Sequence, residues 1–305
     1  MAQETVRETV QEKKVTFVSS SLKLAGELYL PAGASAERFP ALVVAHPTTG
    51  VKEQTAGLYA RRLAERGFVA LAFDAAYQGE SEGEPRGLED PFQRAEDVRA
   101  AVSCLSVRED VDPERIGVLG ICGSGGYVPF AAQTDHRMKA VATVSAADVP
   151  GFFRDADPEG FAQMVEQAGR LRSEEAAGKP ATLVSAVPDA VDENTPAPVR
   201  EFYDYYRTPR AQHPRSTNEW VMRSVDQLDQ FDAFGGIRKI APRPLLMIAG
   251  TEAFTLHYSR DAVAEAGENA ELFLVEGATH VDLYDRDQAV NPAVAKLADF
   301  FGGNL

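Results

Sequence analysis

The chain has 305 residues, 44% of them hydrophobic and 25% charged, which suits one large globular unit or two small ones. Its 46 acidic residues outnumber 31 basic ones, and a formal charge of −15 argues against a nucleic-acid partner or an anionic membrane surface, both of which need a basic face, and is read as serving solubility. Cys104 and Cys122, the only two cysteines, make no disulfide framework, no apolar stretch reaches the length of a membrane span, and residues 1–14 lack the apolar centre of a signal peptide. A cytoplasmic protein is expected.

After a polar arm, two strand-like runs at 15–18 and 22–30 read as an antiparallel edge hairpin, with Leu24, Leu28 and Leu30 on one face. Pro31 and Gly33 break the chain before an apolar run at 41–45, a strand covered on both faces, which ends in His46-Pro47-Thr48-Thr49-Gly50. A helix over 53–66 stops at Gly67, a strand follows at 68–73, then Asp74 and a Gly- and Glu-rich loop. The next helix runs over 91–107, with Cys104 as a small buried hydrophobe. Ile116, Val118 and Leu119 form a strand, a glycine-rich bend leads into a helix through 133, and another strand covers 140–145. Strands and helices alternating in this way predict a mostly parallel, doubly wound α/β sheet that binds ligands beyond the carboxyl ends of its strands.

The alternation stops after Asp148. Helical patches punctuated by seven prolines, from Pro158 to Pro214, fill the stretch to 238, too long for a connection and suited to a helical cap over the strand ends. The expected organisation is a core domain, 1–148 and 239–305, with a cap insertion at 149–238. Tyr203, Tyr206 and Trp220, together with Phe202 and Tyr205, either line a substrate pocket beneath the cap or form the cap's own small core. Strands at 243–250 and 272–275, a helix through 266 and a closing helix over 291–301 complete the chain.

Residues 115–127, RIGVLGICGSGGY, carry the chemistry. A strand, a cramped bend and a helix start are what a nucleophile elbow needs, with the reactive atom lifted out of the sheet. Two registers fit, one with Cys122 and one with Ser124 at the apex; Gly120 directly ends the apolar run and favours Cys122, while an unreactive buried cysteine is the plain alternative. A helix N-terminus and free N–H groups would favour its thiolate. His280 follows the last strand among small residues and is the candidate general base. Pro47 has no N–H, so the donor on that loop is Thr48, which with the Gly123 N–H would make an oxyanion hole, leaving His46 to brace the loop. For the carboxylate that orients the histidine, Glu252 is chosen for its place after the penultimate strand, with Asp148 as its rival; Asp74 reads as a loop brace, and Asp282 stands too near His280 along the chain. No metal or phosphate-binding motif is present, and no cofactor is expected.

The fragments HPTTG (46–50), DAAYQGES (74–81), VDPERIGVLGICGSGGY (111–127) and GATHVDLYD (277–285) resemble the α/β-hydrolase superfamily, over nearly all the chain from Val15 onward except the insertion. GICGSGG looks more narrowly like bacterial hydrolases related to dienelactone hydrolase, which use cysteine where most of the superfamily uses serine. The resemblance implies Cys122 as nucleophile, Thr48 and Gly123 as oxyanion donors and His280 as base. It also places an acid three residues after the glycine of the penultimate strand, where this chain has Ala253. The expected activity is cysteine-dependent hydrolysis of an ester, lactone or thioester through an acyl-enzyme. A lyase, cyclase or carbon–carbon hydrolase using the same oxyanion hole, and a non-catalytic small-molecule receptor, are the alternatives. The partner is a small molecule in each case, with homo-oligomerisation left open.

Overall fold

A computed structural model describes residues 10–33 and 38–305 of the chain; residues 1–9 of the polar arm lie outside them. Strand β1 (Gln11–Ser19) turns at Ser20 into β2 (Leu22–Leu30), and the two pair antiparallel along their whole length. The hairpin starts earlier than the apolar run suggests, because the strand continues outward through the exposed, polar Gln11–Lys14, side chains that also blunt a sheet edge. β3 (Phe39–Ala45), α1 (Thr55–Ala64), β4 (Val69–Phe73), α2 (Pro91–Ser106), β5 (Val111–Ile121), α3 (Ser124–Ala132) and β6 (Met138–Val144) follow. The Asp90 carboxylate caps α2, accepting the Phe92 and Gln93 N–H groups at 2.9 and 3.1 Å, with Pro91 at a position whose N–H would be orphaned anyway.

The stretch 149–238 holds α4 (Val149–Ala156), α5 (Pro158–Ala176), β7 (Leu183–Ser185), α6 (Ala197–Tyr206), β8 (Glu219–Val221) and α7 (Val225–Asp229). β7 and β8 pair antiparallel over three residues each, an addition to the expected helices that is too short to leave a period-2 pattern. β9 (Leu245–Gly250), α8 (Leu256–Ala266), β10 (Ala270–Val275), α9 (Asp282–Asp285) and α10 (Asp287–Asn304) close the chain.

Eight strands form the main sheet in the order β1-β2-β4-β3-β5-β6-β9-β10, parallel from β4 onward, with β1 and β2 antiparallel at one edge. Alternate residues of each central strand feed opposite layers: Leu42 and Val44 pack toward α1 and α10, while Ala41, Val43 and Ala45 pack toward α2 and α3. From β3 the chain steps one way to β4 and later returns on the other side as β5. That reversal opens a crevice at the carboxyl ends of β3 and β5, where the 46–50 loop and Cys122 lie.

Residues 149–238 sit across this crevice and are tied down at several points. Ser216 Oγ donates to Thr49 O at 2.8 Å and Gln54 Nε2 to Ala211 O at 2.8 Å. Arg210 bridges Asp204 at 2.8 Å and Asp285 at 3.0 Å, so the end of α6 is locked to α9. The stretch has apolar packing of its own, with Phe161, Trp220, Val225, Leu228 and Phe231 around Tyr127 of α3.

Gly120 is required by a close approach: a Cβ there would stand 2.1 Å from Ser124 O at the start of α3. Gly120→Ala should therefore cost about 2 kcal/mol or more of stability in urea unfolding.

Candidate active site

β5 ends at Ile121 and α3 begins at Ser124, so the chain reverses within two residues. Cys122 takes φ +55°, a conformation that L residues avoid, and neighbours hold it there. Its N–H donates to Val144 O at 3.0 Å, and its carbonyl accepts from Gly125 N at 2.7 Å and Ala147 N at 3.0 Å. Position 122 is the apex and faces a cavity; Ser124 is buried behind it, its hydroxyl donating to His46 O at 2.6 Å.

The 46–50 loop comes alongside because Gly123 has no side chain: a Cβ there would lie 2.2 Å from Thr48 Oγ1. His46 braces this loop, as expected. Its Nδ1 lies 2.6 Å from Pro47 O, and its Nε2 accepts the Ala75 N–H at 3.1 Å. Burial and the Arg94 guanidinium, 3.1 Å from Nε2, hold the imidazole well below its usual pKa and so neutral.

His280 lies on the loop between β10 and α9, wholly buried, and lines the same cavity as Cys122. Its ring stacks on Phe254 and meets Phe202 edge-on. This burial pushes its pKa down to about 3. Nδ1 lies 2.6 Å from Thr255 Oγ1 and Nε2 3.1 Å from Tyr284 Oη. Tyr284 belongs to the buried cluster against which Cys122 packs. Burial raises the Cys122 pKa, with Tyr284 and the Gly123 N–H pulling the other way. Against the expected activated thiolate, burial favours the thiol at Cys122 and the neutral imidazole at His280, because loss of solvation outweighs the local donors.

The orienting acid is corrected as well. Glu252 is exposed, and its N–H is bonded to Ala278 O at 3.0 Å in the turn after β9. Asp148 begins α4 with Arg154 at 3.7 Å, its pKa raised to about 6 by burial. The chain after β9 brings Thr255, directly before α8, to the imidazole, and a hydroxyl occupies the place expected for a carboxylate. Asp74 braces its loop, accepting Lys52 N and Glu80 N at 2.8 Å each. Asp282 accepts Thr279 N at 3.0 Å within its own turn.

The cavity has a volume of about 270 Å³, and no Asp, Glu, Lys or Arg is among its lining residues. Tyr206 and Trp220 line it, as expected, and Tyr206 Oη is buried there without a hydrogen-bond partner. Tyr203 does not: Phe202 and Tyr206, four apart on α6, share the inward face, and position 203 is rotated about 100° from it. Tyr205 is packing, fully buried against Tyr284.

Among the described residues one carboxylate cluster, Glu53, Asp74 and Glu80, has metal-like spacing. The buried Lys52 ammonium already fills it, with Nζ at 2.7, 2.9 and 2.7 Å from the three.

Sheet order, elbow and histidine loop together define an α/β hydrolase. A model of the dienelactone hydrolase family matches residues 24–147. The chain is 39% identical to PA2218 of Pseudomonas aeruginosa, covering 97% of this chain and 81% of that one, and 36% identical to YcjY of Escherichia coli over 97% and 100%. The crystal structure of PA2218 superposes with a TM-score of 0.91 at 37% identity, covering 100% of this chain and 98% of the other. A thiohydrolase of Aspergillus aculeatus, aneE, is 34% identical over 57% of this chain and 54% of its own. The chain belongs to the dienelactone-hydrolase-like branch of the α/β-hydrolase superfamily, and it is a hydrolase of ester-type or thioester bonds.

Replacing Thr255 by valine frees Nδ1 and should lower kcat for a p-nitrophenyl ester about tenfold, whereas Glu252→Gln should leave kcat within twofold. Steady-state kinetics on the two variants checks both.

Proposed function

We propose that this enzyme hydrolyses an ester, lactone or thioester of an uncharged, largely apolar acyl group through a Cys122 acyl-enzyme. One observation carries the reading: Cys122, held at a positive φ at the apex of the elbow, opens into the same cavity as His280. In this mechanism the sulfur attacks the carbonyl carbon and the carbonyl electron pair moves to oxygen. The N–H groups of Thr48 and Gly123 receive that oxyanion. His280 Nε2 takes up the thiol proton, returns it to the leaving oxygen or sulfur, and then removes a proton from the water that attacks the thioester.

Charge sets the substrate class. A carboxylate or ammonium near the reacting carbonyl would meet no counter-charge on the cavity wall, so aromatic and aliphatic acyl groups fit and charged ones are excluded. Residues 149–238 act as the cap that selects them, through Trp220 and Tyr206. The thiohydrolase among the relatives supports sulfur esters as one subclass. A free thiol at Cys122 fits a reducing compartment.

The test is covalent capture. Cys122→Ala should lower turnover of p-nitrophenyl hexanoate at least about 10³-fold, and rapid-quench mass spectrometry of the unmodified enzyme should find the acyl mass on Cys122. Full activity in the alanine variant would sink the reading.

The pH profile follows from the shifted pKa values. His280, lowered to about 3, stays unprotonated and competent as a base down to mildly acidic pH, and Cys122, raised, keeps its proton through neutral pH. A profile of kcat/KM should therefore be level from about pH 5 to about pH 8, without the limb near 6.5 of an ordinary histidine.

A further inference from the structure

We propose that Arg94 is the positioning residue of the oxyanion hole: it fixes the direction in which the Thr48 N–H points and locks the loop that carries this donor to the elbow. The inference deepens the covalent reading above and rests on it. Arg94 lies on α2, 4% exposed, and does not line the cavity, so it acts from behind the site. Its Nη2 donates to His46 O at 2.9 Å and to Ser124 Oγ at 3.3 Å, and Ser124 Oγ donates to the same carbonyl at 2.6 Å. One guanidinium nitrogen therefore holds both the chain leaving β3 and the first residue of α3, the two segments that carry Thr48 and Gly123.

His46 passes this restraint on to the donor. Arg94 Nη1 stands 3.1 and 3.5 Å from the two ring nitrogens, so the cation lies across the imidazole; burial and this charge keep the ring neutral. The Ala75 N–H fills Nε2 at 3.1 Å, which leaves the ring proton on Nδ1, 2.6 Å from Pro47 O. Gly50 N donates to that same carbonyl at 3.1 Å. Pro47 O belongs to the peptide group whose nitrogen is that of Thr48, and the group is trans, so its N–H points opposite to the pinned carbonyl. Thr48 lines the cavity, and its N–H meets no acceptor among the described residues. Two hydrogen bonds accepted by the carbonyl also polarise the amide and make this N–H a stronger donor.

The charge of Arg94 is balanced out of the substrate's reach. Glu89 Oε1 lies 3.3 Å from Arg94 Nε and accepts the Tyr127 hydroxyl at 2.8 Å, and the guanidinium sits over the Tyr127 ring, 5.1 Å from its centroid. Neither Glu89 nor Tyr127 lines the cavity. Packing alone does not account for this pair. Apolar side chains would fill the same space without the desolvation of two buried charges, and only a planar fork can hold a carbonyl, a hydroxyl and a ring at once.

Arg94→Met tests this, made alone and together with Glu89→Gln so that no buried charge is left unpaired. With p-nitrophenyl hexanoate, kcat should fall about 30-fold or more in both while KM changes less than about threefold. The acyl-enzyme supplies a reading that packing would not move. Isotope-edited infrared difference spectra of the hexanoyl thioester on Cys122 should place its carbonyl stretch about 10 cm⁻¹ higher in the variants, as the oxyanion donors lose their aim. Arg94→Lys, which keeps the charge and loses the fork, should show the same shift and about a tenfold fall in kcat. A kcat within about threefold in the double variant, or a lost rate with the carbonyl stretch unmoved, overturns the assignment. If neither methionine variant folds, an Arg94→Lys enzyme with kcat within about threefold overturns it alone. An acyl adduct on native Cys122 beside unaffected Arg94 variants removes only the role of Arg94, whereas absence of that adduct removes the covalent reading and this inference with it.

Discussion

A side chain at positive φ is the constraint on which the rest of this molecule depends. Cys122 is held at +55° by three backbone hydrogen bonds, and the tight reversal is open only because Gly120 and Gly125 have no Cβ to place against Ser124 O and Ala146. The strand before the turn and the helix after it fix where the sulfur points. That direction in turn sets which loops have to converge: the 46–50 loop from β3, the Thr255 turn from β9 and the His280 loop from β10. The β3/β5 reversal of strand order makes room for them.

Exclusion of water is the second organising force. The aromatic rings of Phe202 and Phe254 close over His280, and the same burial that lowers the imidazole pKa raises that of the thiol. The two shifts run in opposite directions, so both groups rest uncharged. In the proposed mechanism charge appears only as the substrate reacts, at an oxygen facing the Thr48 and Gly123 N–H dipoles, where a low local dielectric makes those dipoles most effective. A threonine at Nδ1 is consistent with this regime: it orients the ring without adding a buried anion that would have to be compensated.

Features set by the main chain could be read directly from residue types. The Leu24, Leu28 and Leu30 face of the hairpin, the apolar central strands and the glycine-flanked bend each leave a periodic or steric signature. Features set by which way a side chain turns could not. Glu252 recommends itself by lying between Cys122 and His280 in chain order at a strand's carboxyl end, but the chain makes three more steps before it faces the ring, and a threonine there carries no compositional mark. Tyr284 was hidden for a related reason. It stands among the residues that support the family resemblance, yet its contact with the His280 ring depends on a turn of helix beginning just after His280. Tyr203 shows the limit from the other side: one position along α6 separates a cavity wall from a half-exposed ring. The three-residue strands β7 and β8 offer too few residues for any period to emerge.

The anchoring of residues 149–238 carries an evolutionary consequence. Ser216 holds the carbonyl of Thr49, directly beside the Thr48 donor, and Arg210 clamps Asp285, the neighbour of Tyr284. On the proposed mechanism, selectivity and rate are therefore not separable modules in this architecture. Exchanging residues 149–238 for a different sequence would also disturb the 46–50 loop and the start of the last helical segment, on which the proposed oxyanion donor and base depend. New substrate preferences arise most readily by point changes at wall positions such as Trp220 and Met164, which touch the ligand space without holding those loops.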